Sequence, residues 1–319
     1  MKLGIHVGHL GGPAGELRKL WRFAEERGFH WFSVSDHFYE SPPQGGELDC
    51  LEAVSTMAAA AAETRRLRIG CLVFCVNYRH PGVLAKALAT IDHLSAGRVE
   101  CGLGAGWHED EYRAYGIPFA PIGVREDQLE EYAQILRLLF DRGGGSFDGR
   151  HFQLRNAQFH PRPVQARLRI WIGGGGEKRT LRAAARCADG WNAPYLDPQA
   201  WRAKNAVLDA WCDQEGRDPR AIVRSANVGF YLGAGEVSAA RHRQILQRQW
   251  GDRLAERKGF LTGTPGPAMD MIAAYRDAGV EQLNIAVREG PYDWEALEGF
   301  AELARAAGLL HPGDAGHDR

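Results

Sequence analysis

Asp36 and His37 close an apolar run, WFSVSDHF, at residues 31–38. A carboxylate next to an imidazole has the makings of an acid–base pair, because two titratable groups in one cleft tune each other. The run reads as a buried strand, and at the carboxyl end of a strand in a parallel α/β barrel the side chains point into the open mouth where chemistry is done. His6 ends the first apolar run and is expected to face the same cavity. A metal held by His6, His9 and His37 would need a further ligand. The chain has no HxH or HExxH spacing and no evident carboxylate from the late strands, so no metal is expected.

Two glycine clusters follow. In CGLGAGWHEDEY, residues 101–112, Gly102, Gly104 and Gly106 come straight after a strand. Without a Cβ, such residues let the backbone approach a flat ligand closely. The match to a dinucleotide fingerprint is superficial, since the sixth-position glycine is missing and three βα units precede it. Trp107, His108 and Glu109 open the next loop, where acidic residues also suit a helix start. In WIGGGGEKRT, residues 171–180, four glycines stand between an apolar strand and a helix, followed by Lys178, Arg179 and Thr180. Exposed backbone N–H groups at a helix amino end, with added donors, are a design for holding phosphate.

The elements that must position these residues alternate between short β-rich runs and longer helical patterns. That rhythm predicts parallel strands joined by crossover helices. Strands are expected at 3–7, 31–35, 68–74, 99–103, 169–172, 189–192, 223–232 and 282–287, which makes a (β/α)8 TIM barrel. Leu17, Leu20, Trp21 and Ala24 mark the first helical stripe, and Leu84, Ala87, Leu88 and Ile91 another. GGGSFDGRHFQL, residues 143–154, reads as a small hairpin or an extended excursion inserted in the barrel. One domain over 1–308 is expected, with insertions near 116–168 and 233–264, the second a polar stretch over the mouth, and a frayed tail at 309–319.

Composition narrows the partners. Among 319 residues, 39 basic side chains against 40 acidic ones give no electrostatic footprint for nucleic acid or an anionic membrane, so a small-molecule partner is expected. Six cysteines without a CxxC pair look like reduced core thiols. The amino terminus enters a strand without a charged leader, and no apolar run approaches the ~20 residues of a membrane span. A cytoplasmic location is expected.

Taken together, the chain resembles the luciferase-like monooxygenase superfamily, and within it the oxidoreductases that use the deazaflavin coenzyme F420. The resemblance rests on VSDHF at 34–38, the long run from Arg68 to Trp107, WIGGGGEKRTLRAAARCADGWN at 171–192, and FLTGTPGPAMDMIAAYRDAGVEQLNI at 260–285. It implies a barrel with the cofactor ring across the strand ends. Asp36 and His37 would lie at the reactive face, with His37 exchanging the proton. Leu72–Val73 would form a non-proline cis bulge behind the ring. Gly104, Ala105 and Gly106 would run along the ring and ribityl chain, and Gly173, Gly174, Gly175, Gly176, Arg179 and Thr180 would hold the phosphate. Such barrels are often homodimers, although no interface stripe is evident here. Trp107 stands where sugar-phosphate dehydrogenases of this branch carry a catalytic glutamate. A flatter, more apolar pocket follows, taking a bulky or apolar substrate against Trp107 and His6. The alternatives are an FMN-dependent monooxygenase using oxygen, a non-catalytic flavin-binding barrel and a metal-dependent barrel hydrolase.

Overall fold

The computed structural model describes residues 1–11, 13–39, 48–289 and 292–312. Lys2–Gly11 forms β1, and Ala14–Arg27 (α1) buries Leu17, Leu20, Trp21, Phe23 and Ala24 before Gly28 stops it at φ 82°. Left-handed backbone there suits glycine. Trp31–Val34 (β2) leads to Ala53–Glu63 (α2), whose first amides are capped by the Glu52 carboxylate. Then come Arg68–Cys75 (β3), Pro81–Leu94 (α3), Val99–Gly104 (β4), the short Glu109–Ala114 (α4) and the long Ile122–Arg142 (α5). Gly144–Asp148 (β5) and Gln153–Gln158 (β6) pair as an antiparallel hairpin. The regular rhythm resumes with Ile170–Gly173 (β7), Thr180–Cys187 (α6), Gly190–Pro194 (β8), Pro198–Gln214 (α7) and Val223–Leu232 (β9). Glu236–Trp250 (α8), Phe260–Gly263 (β10), Pro265–Ala278 (α9), Gln282–Glu289 (β11) and Trp294–Ala306 (α10) complete the chain.

Among the described residues, the strands β1, β2, β3, β4, β7, β8, β9 and β11 pair in parallel in that order and close on themselves. This is the (β/α)8 barrel that the sequence predicts. Register places His6 beside Ser33, so both enter the interior at the same level. The interior is unusually polar for such a core. Asn192 donates to Ser225 Oγ and Asn227 Oδ1, and Asn284 donates to Asn227 Oδ1 at 2.9 Å. Each buried amide is thereby partnered, as burial demands.

The second insertion and the tail carry more structure than the sequence predicts. The stretch 233–264 carries a regular helix, α8, and a ninth strand, β10, that joins β9 in parallel outside the barrel. The tail does not fray at 309, because Leu309 and Leu310 are buried and the His311 N–H donates to Gly28 O; residues 313–319 lie outside the described residues. All six cysteines are free; Cys71, Cys75, Cys101 and Cys212 are buried, whereas Cys50 and Cys187 are half-buried at the edge of the core.

Candidate active site

The carboxyl ends of the strands surround a cavity of about 570 Å³. That is the size range of small-molecule and cofactor sites. His6, Asp36, His37, Leu72, Val73, Gly104, Ala105, Gly106, Trp107, Gly173, Gly174 and Thr180 all line it. Gly175, Gly176 and Arg179 do not reach its wall. A further cavity of about 740 Å³ behind α8 shares Gln249 and Arg288 with it but holds none of the predicted residues.

His37 is held by a residue that sequence reasoning missed. Its Nδ1 lies 2.7 Å from Glu111 Oε2, and the fully buried Glu111 also accepts from Tyr78 OH at 2.9 Å, Phe38 N at 2.8 Å and Tyr39 N at 3.3 Å. Burial works to raise the Glu111 carboxyl, but the His37 ring and the other donors outweigh it and leave it below its usual value. An ionised acceptor here fixes the proton on His37 Nδ1. Glu111 sits in an acidic triplet at the start of α4. Only the phase of that short helix sends it inward, leaving Glu109 and Asp110 exposed.

Asp36 does different work. Its Oδ2 accepts from Cys75 N at 3.0 Å and from Arg79 Nη1 at 2.7 Å, tying the end of β2 to the loop after β3. Burial pushes the Asp36 carboxyl up against the pull of Arg79. His6 is buried, with Nδ1 3.0 Å from Ser33 Oγ, and burial and the nearby Arg288 bring it down to about 3. It is neutral at pH 7. The side chain of His9 lies outside the described residues. Trp107 is half exposed, stacks on His108 with ring centroids 4.9 Å apart and meets His37 edge-on at 5.7 Å.

Leu72–Val73 is a cis peptide, and the pairing of β3 with β4 shifts register between Cys71 and Phe74. The bulge explains the glycines in a way the sequence did not reveal. A β-carbon at Gly104 would lie 2.5 Å from Val73 Cγ2, and one at Gly173 would lie 2.6 Å from Val73 Cγ1. These two glycines make room for the Val73 side chain. The second insertion adds Trp250, Arg253 and Arg257 to the rim, where the Arg257 guanidinium donates to Pro194 O at 3.1 Å. Arg288, from the end of β11, lies over the Trp250 ring at 5.0 Å. Neither Arg253 nor Arg257 stood out within a polar stretch of sequence.

The model of a family described as luciferase-like monooxygenase matches residues 2–308. The chain belongs to that family. It is therefore an oxidoreductase on the luciferase-like barrel. It is 33% identical over 294 residues to an F420-dependent glucose-6-phosphate dehydrogenase of Amycolatopsis mediterranei, covering 84% of this chain and 86% of that one. It is also 33% identical over 222 residues to the pyrimidine monooxygenase RutA of Acinetobacter baylyi, covering 66% and 58%. Among solved structures, an F420-dependent secondary alcohol dehydrogenase in complex with an F420–acetone adduct superposes with a TM-score of 0.82 at 19% identity over 96% of this chain and 98% of that one. Likeness at that identity speaks for the fold alone. Among the described residues no helix is long and apolar enough to cross a membrane, and no group of metal-ligating side chains is assembled.

Proposed function

We propose that this oxidoreductase transfers a hydride between coenzyme F420 and a bulky or apolar small molecule, with His37 exchanging the accompanying proton. The observation that carries this reading is the His37–Glu111 dyad at the cavity wall. A base whose Nδ1 is locked by a carboxylate is oriented as general acid–base catalysis requires. The family resemblance through VSDHF and the F420-dependent relative support the choice of cofactor.

The residues present fit a phosphorylated redox ring. Among the described residues nothing accepts from the N–H groups of Gly175 and Gly176, which follow the cavity-lining Gly173 and Gly174, and such paired donors suit a phosphate. Leu72, Val73 and the backbone from Gly104 to Gly106 would bracket the ring. When bound, the deazaflavin supplies two-electron hydride chemistry. The protein's share is orientation, proton exchange at His37 Nε2 and exclusion of water by Trp107. His6, neutral and buried, and Trp107 would contact the substrate, while Arg253, Arg257 and Arg288 give the rim a cationic side. Likeness to RutA supports a second reading, oxygen chemistry on reduced FMN.

The test is a binding titration with F420 and FMN, each oxidised and reduced, followed by a turnover screen with whichever binds. His37→Ala is expected to lower turnover by about 10²–10⁴ while F420 affinity changes little, the scale of a lost general acid or base. Unchanged turnover would remove His37 from the chemistry, and failure to bind either ring would remove the cofactor assignment.

A further inference from the structure

The donors expected to hold a phosphate are already committed. Thr180 Oγ1 donates to Glu126 Oε1 at 3.1 Å. Arg179 bonds Asp127, and its Nε lies 3.4 Å from Glu126 Oε2. Lys178 faces a shallow groove on the outer surface beside Ala206 and Trp211. Glu126, from the first turns of α5, has a side chain only 14% exposed and lines the cavity together with Gly173, Gly174 and Thr180. A β-carbon on Gly176 would lie 3.9 Å from its Oε1. A carboxylate therefore stands against the loop that offers the unshared Gly175 and Gly176 amides. Arg179 is set against Glu126 and Asp127, and Lys204, beside Gly175, is paired with Glu177, so these five side chains carry one more negative charge than positive.

A phosphate entering here shares the recess with Glu126, and the repulsion grows with its charge. The phosphodiester of F420 carries one negative charge, whereas the monoester of FMN carries about −1.5 to −2 at pH 7. We infer that Glu126 is a specificity-determining residue, one that turns the phosphate loop against phosphomonoesters and leaves it open to the phosphodiester of the deazaflavin. This rests on the function proposed above and adds how the same loop tells two similar cofactors apart. An extra unit charge roughly 5–6 Å away, at an effective dielectric between those of surface pairs and water, changes affinity on the order of tenfold.

The experiment measures the dissociation constants of oxidised F420, its phosphate-free deazaflavin parent, FMN and riboflavin for the wild type and Glu126→Gln at pH 7.5. The ratio of FMN to riboflavin isolates the phosphate, and the ratio of F420 to its parent reports the phosphodiester together with the acidic tail it carries. Glu126→Gln is expected to improve the F420 ratio about tenfold, for its single phosphate charge, and the FMN ratio on the order of a hundredfold, for its nearly double charge. In the wild type, the FMN ratio should also improve between pH 7.5 and 5.5, as the monoester takes up its second proton near pH 6, while the F420 ratio holds. Equal shifts for both rings, or none, overturn the inference while F420 binding leaves the proposed function standing. Loss of binding by every ring in the wild type overturns both. If Glu126→Gln does not fold, the wild-type pH series decides alone, and a flat FMN ratio refutes the assignment.

Discussion

Replacing Glu111 by glutamine removes a charge while keeping a shape. The carboxylate accepts from the His37 ring, Tyr78 OH and two successive backbone amides, Phe38 and Tyr39, inside a fully buried pocket. A glutamine amide offers one oxygen to these donors and turns an NH2 group toward the others. If the oxygen keeps the backbone amides, the NH2 faces His37 and Tyr78; the opposite flip sets it against two N–H groups. Either way the charge-assisted bonds are lost, and with the oxygen on the backbone amides the NH2 drives the His37 proton off Nδ1, at a cost of about 2–4 kcal/mol. That lies within the 5–15 kcal/mol typical of a folded domain, so the variant should fold. Losing the charged bond to His37, worth about 1.5–3 kcal/mol, should slow turnover roughly 10- to 150-fold if the bond serves the transition state. The assay is single-turnover reduction in wild type, Glu111→Gln, His37→Ala and the double variant, with imidazole ¹⁵N shifts reporting which nitrogen of His37 carries the proton. Glu111→Gln should be slow, displace the proton from Nδ1, and add nothing to His37→Ala, as expected of residues acting as a unit. If Glu111→Gln slows the His37→Ala background by its full factor, or leaves the ¹⁵N shifts of His37 untouched, the positioning role is wrong.

Two other outcomes follow from packing and burial. His6 binds a proton less readily folded, at about 3, than unfolded, near 6.5, so the unfolded chain holds more protons between those values and stability falls as pH drops through that window. Between pH 6.5 and 4, His6→Asn should therefore lose roughly 3 kcal/mol less than wild type in urea unfolding, and parallel pH curves would contradict this. Gly104→Ala should destabilise by about 1–3 kcal/mol through overpacking against Val73, and Val73→Ala in the same chain should return most of the loss in thermal melts.

Much of the architecture was legible because each barrel unit repeats one pattern. The strand Val223–Leu232 matches its expected bounds in full, and the other barrel strands agree to within a few residues. Helix α8 escaped notice because only Ala239, Leu246 and Gln249 are buried along it, too thin a stripe for helical periodicity to register. Strand β10 is a short run whose partner is set by tertiary pairing alone. At the site, His37, Asp36 and both glycine clusters were visible as residue types, yet their partners were not. Arg79, Tyr78 and Glu126 reach the mouth from other barrel units, and nothing local in the sequence announces such meetings. Gly104 was read as a place for close approach and Gly173 as part of a phosphate loop, and the group that packs against both is the Val73 side chain.

Glu111 also joins segments that follow three successive strands: its own after β4, Tyr78 after β3, and the residues from His37 to Tyr39 after β2. Barrel-mouth loops are often treated as interchangeable parts that can be exchanged one at a time to change what an enzyme accepts. Along this arc of the rim they are stapled to one another through a single side chain. A graft that replaces any of the three segments without restoring its donor would be felt at the imidazole, so redesign of the entrance would have to move them as a set.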